Sequence, residues 1–371
     1  RFLMQDIERI DGALLRGEEP TDLPPAGSLV EWIGREVTLS SSPKMKALVE
    51  TTASGLVDMP ERLALPVVLS VQQNDTVYSG AAVELPLSSD FTVRFKDFLR
   101  QQRTTPAAAC LAAFLLLLWK ISRQTDFGVS VPVSNRASHG MQQVLGYFTN
   151  VGIVRSCIDP AQTVAEFLAA LNERWWNLLD GCELPFPLLA KHVKRQGGNL
   201  QQALLQIGFN HLTVDSSAAA LSLGSVRLHN VQILPEVVKN QLKLDVQQSL
   251  DGIRCIFLYD RSALGHDMVL FLAQAYERLL DAMMQKPALK LRDLPLMDEA
   301  QCETVLRLGR GEPMPLPRKG LHQLVEEQAA RTPNARAVVF GRRAPAIEAR
   351  LATRSPPDAL AVPEWHPVEC P

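Results

Sequence analysis

The chain has 371 residues, of which 46% are hydrophobic and 21% are charged, and its formal net charge is −2. This length and composition fit one large or two ordinary globular domains and exclude a disordered or coiled-coil protein. The near-neutral charge gives no reason to expect nucleic acid or an anionic membrane as a partner.

The cysteines and the apolar segments point to a cytoplasmic protein. No C-x-x-C pair occurs, which excludes a zinc site of that type and argues against a disulfide framework, so we expect no bound metal. The most apolar run, Pro106 to Trp119, is shorter than the roughly 20 residues of a bilayer span. The six cysteines are scattered: Cys110, Cys157, Cys182, Cys255, Cys302 and Cys370.

The sequence opens on "RFLMQDIERIDGALL", in which apolar residues recur at helical spacing. No capping residue precedes this helix, so the chain looks as if it had been cut from a longer one. A proline-rich break, Glu18 to Gly27, follows it. The stretch from there to about residue 66 has little pattern.

From residue 66 onward the sequence predicts alternating strands and helices. "VYSGAAVELPL" is typical of a strand, "DFTVRFKDFLRQQ" of a helix, and "FGVSVPVSNR" of a strand that leads into a loop. Between them, Thr105 can cap the helix that starts at Pro106, and that helix is apolar nearly all round. We expect it to be buried in a core.

The next segment continues this alternation. Thr163 and Glu166 form a capping box at the start of the helix "VAEFLAALNERWWNLLD". "ALLQIGFNHLTV" and "VRLHNVQIL" are predicted to be strands, and Asp251-Gly252 predicts a hairpin. A long helix, "HDMVLFLAQAYERLLDAMM", follows. The sum predicts an α/β or α+β fold in which long helices cover a mixed sheet.

The C-terminal part differs in composition. Residues 308–319, "LGRGEPMPLPRK", have the glycine and proline content of a linker. The next 21 residues predict a short helix and a strand. The remainder is rich in arginine, alanine and proline without periodicity, and we expect it to be poorly ordered.

Several of these stretches, in order, resemble one family. "VLGYFTNVGIVR" is similar to the I-G-x-F-V-N-T-x-x-x-R motif of nonribosomal peptide synthetase condensation domains. Pro132 to Arg136 matches the Pro-x-x-x-Arg end of the preceding strand. "LPFPLLAKHV" resembles the P-F-E segment, with Pro187 in place of Glu, and "NLQQALLQIGFNHL" resembles a further motif in its second half. "GLHQLVEEQAARTPNARAVVF" looks like the start of an adenylation domain.

The resemblance implies a chloramphenicol-acetyltransferase-like fold, mostly its C-terminal lobe, and it divides the chain. Residues 1–65 would be a remnant of the N-terminal lobe and its crossover, and residues 66–300 the C-terminal lobe. A linker would span 301–320, the start of an adenylation domain 321–341, and an aberrant, disordered tail 342–371.

The resemblance also implies the chemistry. In this family an H-H-x-x-x-D-G loop precedes a helix like the first one here, and it supplies the catalytic histidine, but the sequence does not contain that loop. Arg136 would pair with the Asp of the loop; otherwise it is a solvated strand-end arginine. With the Asp absent from this chain, we expect Arg136 to lie unpaired at the surface.

Three further residues are implied to line the tunnel through which the substrate arms approach each other: Tyr147, Asn150 and Asn210. The alternative for both asparagines is that their side chains cap backbone groups at strand ends. A different candidate comes from the spacing of His211 and Asp215, which matches an H-x-x-x-D acyltransferase pattern. The glycine that normally follows that Asp is missing.

Three hypotheses about function remain. The first is a condensation-domain fragment, inactive alone, whose parent forms an amide bond between thioesters on carrier proteins. Its partners would be carrier and adenylation domains, and 4′-phosphopantetheine would arrive on the carriers. The second is a non-catalytic remnant that binds a carrier protein. The third is a stand-alone acyltransferase that uses His211.

Overall fold

The structure is a computed structural model, and it describes residues 2–20, 27–66, 79–136, 144–214, 221–223, 226–228, 237–250, 252–310 and 319–335. The chain divides into two units, Arg1–Cys302 and Glu303–Pro371.

The described residues form eleven α-helices, eight strands and a short 3₁₀ helix at Leu291–Asp293. The helices are α1 Phe2–Leu15, α2 Leu29–Ser40, α3 Pro43–Ser54, α4 Ser89–Gln102, α5 Pro106–Ser122, α6 Val164–Asp180, α7 Phe186–Arg195, α8 Gln201–Gln206, α9 His266–Gln285, α10 Glu299–Arg310 and α11 Leu321–Arg331. The strands are β1 Gly80–Leu87, β2 Asp126–Ser134, β3 Thr149–Cys157, β4 Ile207–Thr213, β5 Leu221–Leu223, β6 Val226–Leu228, β7 Leu242–Gln248 and β8 Ile253–Asp260.

Six strands form a mixed sheet in the order β1-β8-β7-β4-β2-β3, and β5 and β6 form a separate pair. The neighbours β4–β7 and β2–β4 are parallel, and the others are antiparallel. The β2–β4 seam is short: Ser130 opposite Gly208 is its single paired position, and Ser130 Oγ adds a hydrogen bond of 2.8 Å to the carbonyl of Ile207.

Helix α5 forms the centre of the core. Thr105 caps it, since its hydroxyl accepts a hydrogen bond from the N–H of Ala108. Residues 108–120 are all buried. The Phe114 ring lies 6.3 Å from that of Phe209 on β4 and 6.4 Å from that of Phe257 on β8, so α5 packs on one face of the sheet. We call this the inner face; α6 and α9 pack beside α5.

The opposite, outer face of β2 and β3 is covered by α3 and the segment that follows it. Met59 packs where a Cβ on Gly128 would lie 2.7 Å from its sulfur, so Gly128 makes this approach possible. Leu63 exchanges two backbone hydrogen bonds with the Gln206 side chain, each 2.8 Å long. Residues 45–65 are therefore part of the same unit as the sheet.

The structure corrects two sequence expectations. The stretch with little pattern contains α2 and α3, whose first turns are capped by Ser28 and Ser42. The segment predicted as a strand from residue 203 begins as helix α8, and only Ile207–Thr213 is a strand. Alanine, leucine and glutamine favour a helix, and a short apolar run does not distinguish the two structures.

The other elements agree with the sequence. The capping box of Thr163 and Glu166 is present, and β7 and β8 form the predicted hairpin. Within the described residues no single helix is long and apolar enough to cross a membrane. Among those residues, only the pair α4 and α5 taken together has the length and composition of a span, and it is bent by 97° at the junction.

In the second unit, α11 forms where a short helix was expected, and Lys319 pairs with Glu327 on it. Helix α10 begins in the first unit and occupies the first half of the expected linker, up to residue 310. The strand predicted before residue 341 and the tail at 342–371 lie outside the described residues, as does most of "VRLHNVQIL" beyond β6.

Lys120 makes stability depend on pH. Its ammonium group donates to the carbonyls of Arg292 and Leu294, at 2.8 and 2.6 Å, and holds the 3₁₀ helix against α5. Burial lowers the pKa of Lys120 to about 8 from its usual 10.5. Between these values the unfolded chain keeps a proton that the folded chain has released, so this residue makes the free energy of unfolding rise with pH.

We expect Lys120→Met to abolish that rise. Urea unfolding from neutral pH to about pH 10 checks this, because wild type and variant should differ in slope above about pH 8. Lys286→Met, at an exposed lysine, is the control and should keep the wild-type slope. Parallel curves for Lys120→Met and wild type would contradict the assignment.

Candidate functional site

Arg136 organises the segment that leads into β3. Its guanidinium donates to the carbonyls of Val144 and Gly146, at 2.9 and 3.0 Å, and lies 4.2 Å from the centre of the Phe148 ring. The expectation that Arg136 lies unpaired at the surface is therefore wrong. A planar group with several N–H donors can bind two carbonyls and stack on a ring at once. Beyond it, Trp32 of α2 packs edge-on against Phe148.

The side-chain amide of Asn150, at the start of β3, forms four hydrogen bonds to backbone groups. Its Nδ2 donates to the carbonyls of Cys182 (3.1 Å) and Leu184, and its Oδ1 accepts from the N–H groups of Phe186 (3.2 Å) and Val151 (2.9 Å). The side chain thus fixes the turn between α6 and α7 to the sheet. This is the backbone-capping role that the sequence left open as the alternative.

The two asparagines lie on opposite faces of the sheet. Asn150 is opposite Val133, which lies two residues after the inner-face residue Val131 of β2 and so points to the inner face as well. Asn210 is on β4, two residues after Gly208, and Gly208 is opposite Ser130 on the outer face. Since side chains alternate along a strand, the described residues do not bring Asn150 and Asn210 to one cavity. Tyr147 is 81% exposed.

Asn210 lies in a polar strip on the outer face. Its partner in register on β7 is Asp245, and Lys243 Nζ lies 2.8 Å from Asp245 Oδ1. The side chain of Lys243 on β7 lies close to Gly208, where a Cβ would be 3.0 Å from the Lys243 Cγ, so glycine makes room for it. The strip offers a cation, a carboxylate and an amide where β4 and β7 run in parallel.

His211 faces the inner side, next to Val246, and its Nε2 is buried with no hydrogen-bond partner among the described residues. Burial lowers its pKa, and an interaction with Gln248 opposes this in part, so the ring is mostly neutral near pH 7. Asp215 lies outside the described residues. The proposed His211–Asp215 pair therefore stays a prediction.

Among the described strands, β3 is the last of the sheet and its outer edge is free, and a groove with a volume of about 840 Å³ runs along this edge between α3 and α6. We call it the edge groove. Ile153 and Arg155 form its floor, Leu48 and Leu178 its apolar walls, and Arg174 lines it from α6. Its further lining includes Lys44, Thr51, Thr52, Cys157, Asn177, Asp180 and Glu183.

Arg155 fixes one end of the edge groove. It pairs with Asp126 on β2 and Asp58 after α3, each at 2.6 Å, and donates to the carbonyl of Gly55 at 2.9 Å. Hydrogen bonds to Asp126 and Asp58 raise the pKa of Arg155, and the guanidinium holds the pKa of Asp58 below its usual value. In the described ranges no three His, Cys, Asp or Glu side chains are grouped to hold a metal.

The family model for the Condensation domain matches residues 3–306. The chain belongs to the condensation domain family. The match includes α1, the six-stranded sheet and the helices that cover it.

Condensation-domain relatives occur within large synthetases. Bacitracin synthase 1 of Bacillus licheniformis is 25% identical over 84% of this chain, which spans 6% of that protein. Tyrocidine synthase 3 of Brevibacillus parabrevis is 25% identical over 71% of the chain, which spans 4% of that protein. Bacitracin synthase 2 of Bacillus licheniformis is 24% identical over 71% of the chain, which spans 10% of that protein.

Solved structures of similar proteins share the fold. The X-domain from teicoplanin biosynthesis has a TM-score of 0.66 at 17% identity, covering 79% of this chain and 69% of that one. The first condensation domain of the CDA synthetase has a TM-score of 0.61 at 15% identity, and the match covers 80% of this chain and 63% of that one. Holo-AB3403, a four-domain nonribosomal peptide synthetase, has a TM-score of 0.63 at 16% identity, and the match covers 83% of this chain and 24% of that one.

The sequence drew attention to Arg136 and Asn150, although the tunnel-lining and interlobe roles predicted for them stay predictions, and it gave no indication of the edge groove. Its walls come from α3 and α6, which are more than 100 residues apart. The one local feature of the sequence that bears on the groove is Ser42-Pro43, which predicts the start of its α3 wall.

Asn150→Ala tests the backbone-capping role. The change leaves two carbonyls and two N–H groups without their partner, so we expect the free energy of unfolding to fall by about 2–3 kcal/mol. Urea unfolding measures it. Asn210→Ala is the matched control: among the described residues that side chain has no hydrogen bond, and we expect a loss below about 1 kcal/mol. Equal losses would contradict the assignment.

Arg136→Lys tests the hold on residues 144–148. Lysine has a single ammonium group and no planar face, so it cannot bind both carbonyls and stack on Phe148. We expect faster amide hydrogen exchange in a peptide covering residues 144–148, measured by mass spectrometry, and unchanged exchange in α9. Wild-type protection of that peptide in the variant would show that Arg136 does not hold the segment.

Proposed function

We propose that this chain provides the C-terminal lobe of a condensation domain that joins two acyl thioesters, carried on 4′-phosphopantetheine arms, in a nonribosomal peptide synthetase. The observation that carries the proposal is the family match over residues 3–306, together with the mixed sheet covered by helices. The relatives are synthases of bacitracin and tyrocidine, which supports a peptide-forming parent.

The reaction sets clear requirements. The acceptor amine attacks the carbonyl carbon of the donor thioester, a C–N bond forms, the C–S bond breaks, and the donor arm leaves as a thiol that takes up the proton lost by the amine. Such a step needs alignment of the two arms, a group that handles the amine proton, and stabilisation of negative charge on the carbonyl oxygen.

In this proposal the chain's own residues position the substrates. Arg136 holds the carbonyls of Val144 and Gly146 and so fixes the segment that carries Tyr147. Asn150 fixes the start of β3 to the turn after α6. Tyr147 and Asn210 are the side chains that we propose to contact the arms, from different parts of the lobe.

We further propose that this chain alone does not form the amide bond. The sequence has seven histidines, none adjacent to another, so an H-H-x-x-x-D-G loop does not occur in it. The carrier and adenylation domains of the parent synthetase would be its partners. Residues 321–341 would begin the adenylation domain.

The test mixes the chain with a carrier domain loaded with alanyl thioester and a second one loaded with glycine. The N-terminal lobe of a related condensation domain is added as a separate polypeptide. We expect alanyl-glycyl thioester, detected by intact-protein mass spectrometry, only when that lobe is present. Arg136→Lys should lower the yield, whereas Lys286→Met, at an exposed residue of this chain, should not.

Two outcomes would favour the other hypotheses. Product from the chain alone that disappears in His211→Ala would identify a stand-alone acyltransferase. Saturable carrier binding without product in any mixture would identify a non-catalytic binding module.

A further inference from the structure

We infer that the edge groove binds an extended polypeptide segment, which adds to β3 as a further strand and places an acidic side chain against Arg174. The inference rests on the free edge of β3, on the groove beside it and on the charges that line it. It is independent of the proposed amide-forming reaction.

The free edge of β3 exposes the backbone of alternate residues. The C=O of Phe148 and the N–H of Ile158 are bonded on the β2 side, so the even-numbered residues of β3 face β2 and the odd-numbered ones face outward. The outward residues are Val151, Ile153 and Arg155, with Cys157 at the end.

The two flanks of this edge are capped, and its middle is open. Asn150 Oδ1 accepts from the N–H of Val151, and Arg174 donates weakly, at 3.4 Å, to the carbonyl of Arg155. Neither the N–H nor the C=O of Ile153 has a partner among the described residues, although Ile153 is buried. Buried backbone groups are nearly always hydrogen-bonded, so this edge calls for an extended backbone opposite Ile153.

The groove has space and walls for such a segment. Its volume of about 840 Å³ lies within the range of ligand sites, and apolar side chains of α3 and α6 line its two sides. Alternate side chains of an added strand would point toward the two helices, because successive side chains of a strand face opposite ways. Contacts with the apolar side chains of α3 and α6 would thus determine which positions of the segment are apolar.

The charged side chains of the edge groove determine which positions of the bound segment are charged. Within the described residues, no carboxylate lies within 4.0 Å of the half-buried guanidinium of Arg174, unlike that of Arg155. Asp180 and Glu183 line the groove near the other end, by the turn that Asn150 fixes. An acidic residue at the Arg174 end and a basic one toward Asp180 therefore complement the groove. Along β3 these ends lie at Arg155 and Val151, which are four residues, or about 13 Å, apart.

The probes are the acetylated, amidated peptides TEVTVKVT and TVKVTVET, one for each strand direction, titrated against the full chain. Binding is read from the rate at which iodoacetamide modifies Cys157, which is exposed in the groove, with exposed Cys302 as the internal control. We expect one peptide to slow modification of Cys157 saturably and to leave Cys302 unchanged.

Variants of both partners test the mechanism. We expect Arg174→Gln to weaken binding about tenfold, since a charge-assisted hydrogen bond is lost. Ile153→Pro removes an N–H that faces away from β2, and we expect a loss of about fivefold or more. Lys286→Met should bind as wild type. If Ile153→Pro fails to fold, a peptide N-methylated at its four central residues tests the same hydrogen bonds from the other side.

The inference is overturned if neither peptide protects Cys157 up to about 1 mM. It is also overturned if the N-methylated peptide protects as well as the parent, because strand addition depends on backbone hydrogen bonds. Carrier-dependent amide formation is measured separately, so failure here would leave the proposed function standing.

Discussion

The burial of α5 on every side is the constraint on which the rest of the structure depends. A helix whose residues 108–120 are all buried needs apolar partners all round it. The sheet supplies one side through Phe209 and Phe257, and α6 and α9 supply the flanks. Because the inner face is filled in this way, most of the polar groups described above lie on the outer face, at the strand ends and at the sheet edge, and His211 is a buried exception on the inner face.

The candidate functional features follow that division. Arg136 and Asn150 act at strand ends, where carbonyls and N–H groups lack a partner in the sheet, and both fix backbone segments. The polar strip of Asn210, Lys243 and Asp245 lies on the outer face. In a family whose relatives are parts of much longer synthetases, surfaces of these kinds can meet other domains without disturbing the core.

The sequence predicted the elements with strong local signals. Thr105-Pro106 and the Thr163–Glu166 capping box mark helices by side chains that bind neighbouring N–H groups, and both are present. It missed α2 and α3 because their apolar residues are diluted by polar ones, although Ser28 and Ser42 were there as caps.

The site was less predictable than the fold. Arg136 was identified through the family resemblance, but its acceptors are backbone carbonyls, which have no signature in a sequence. That Asn150 and Asn210 face opposite ways depends on the register of β2 with β3 and β4, which residues far apart determine. The edge groove depends on strand order, and no local pattern shows which strand will be last in a sheet.

The short seam between β2 and β4 has a consequence for how the protein folds. It divides the sheet into two parts, β2–β3 and β4–β7–β8–β1, of which β2–β3 and β7–β8 pair strands that are close in sequence. Local pairs close small loops and form early, whereas joining Ser130 to Gly208 closes a long one for few contacts. We therefore expect the local pairs β2–β3 and β7–β8 to form before the β2–β4 seam and the distant β1–β8 pair close, and α5, which packs on β4 and β8, to complete its burial only then.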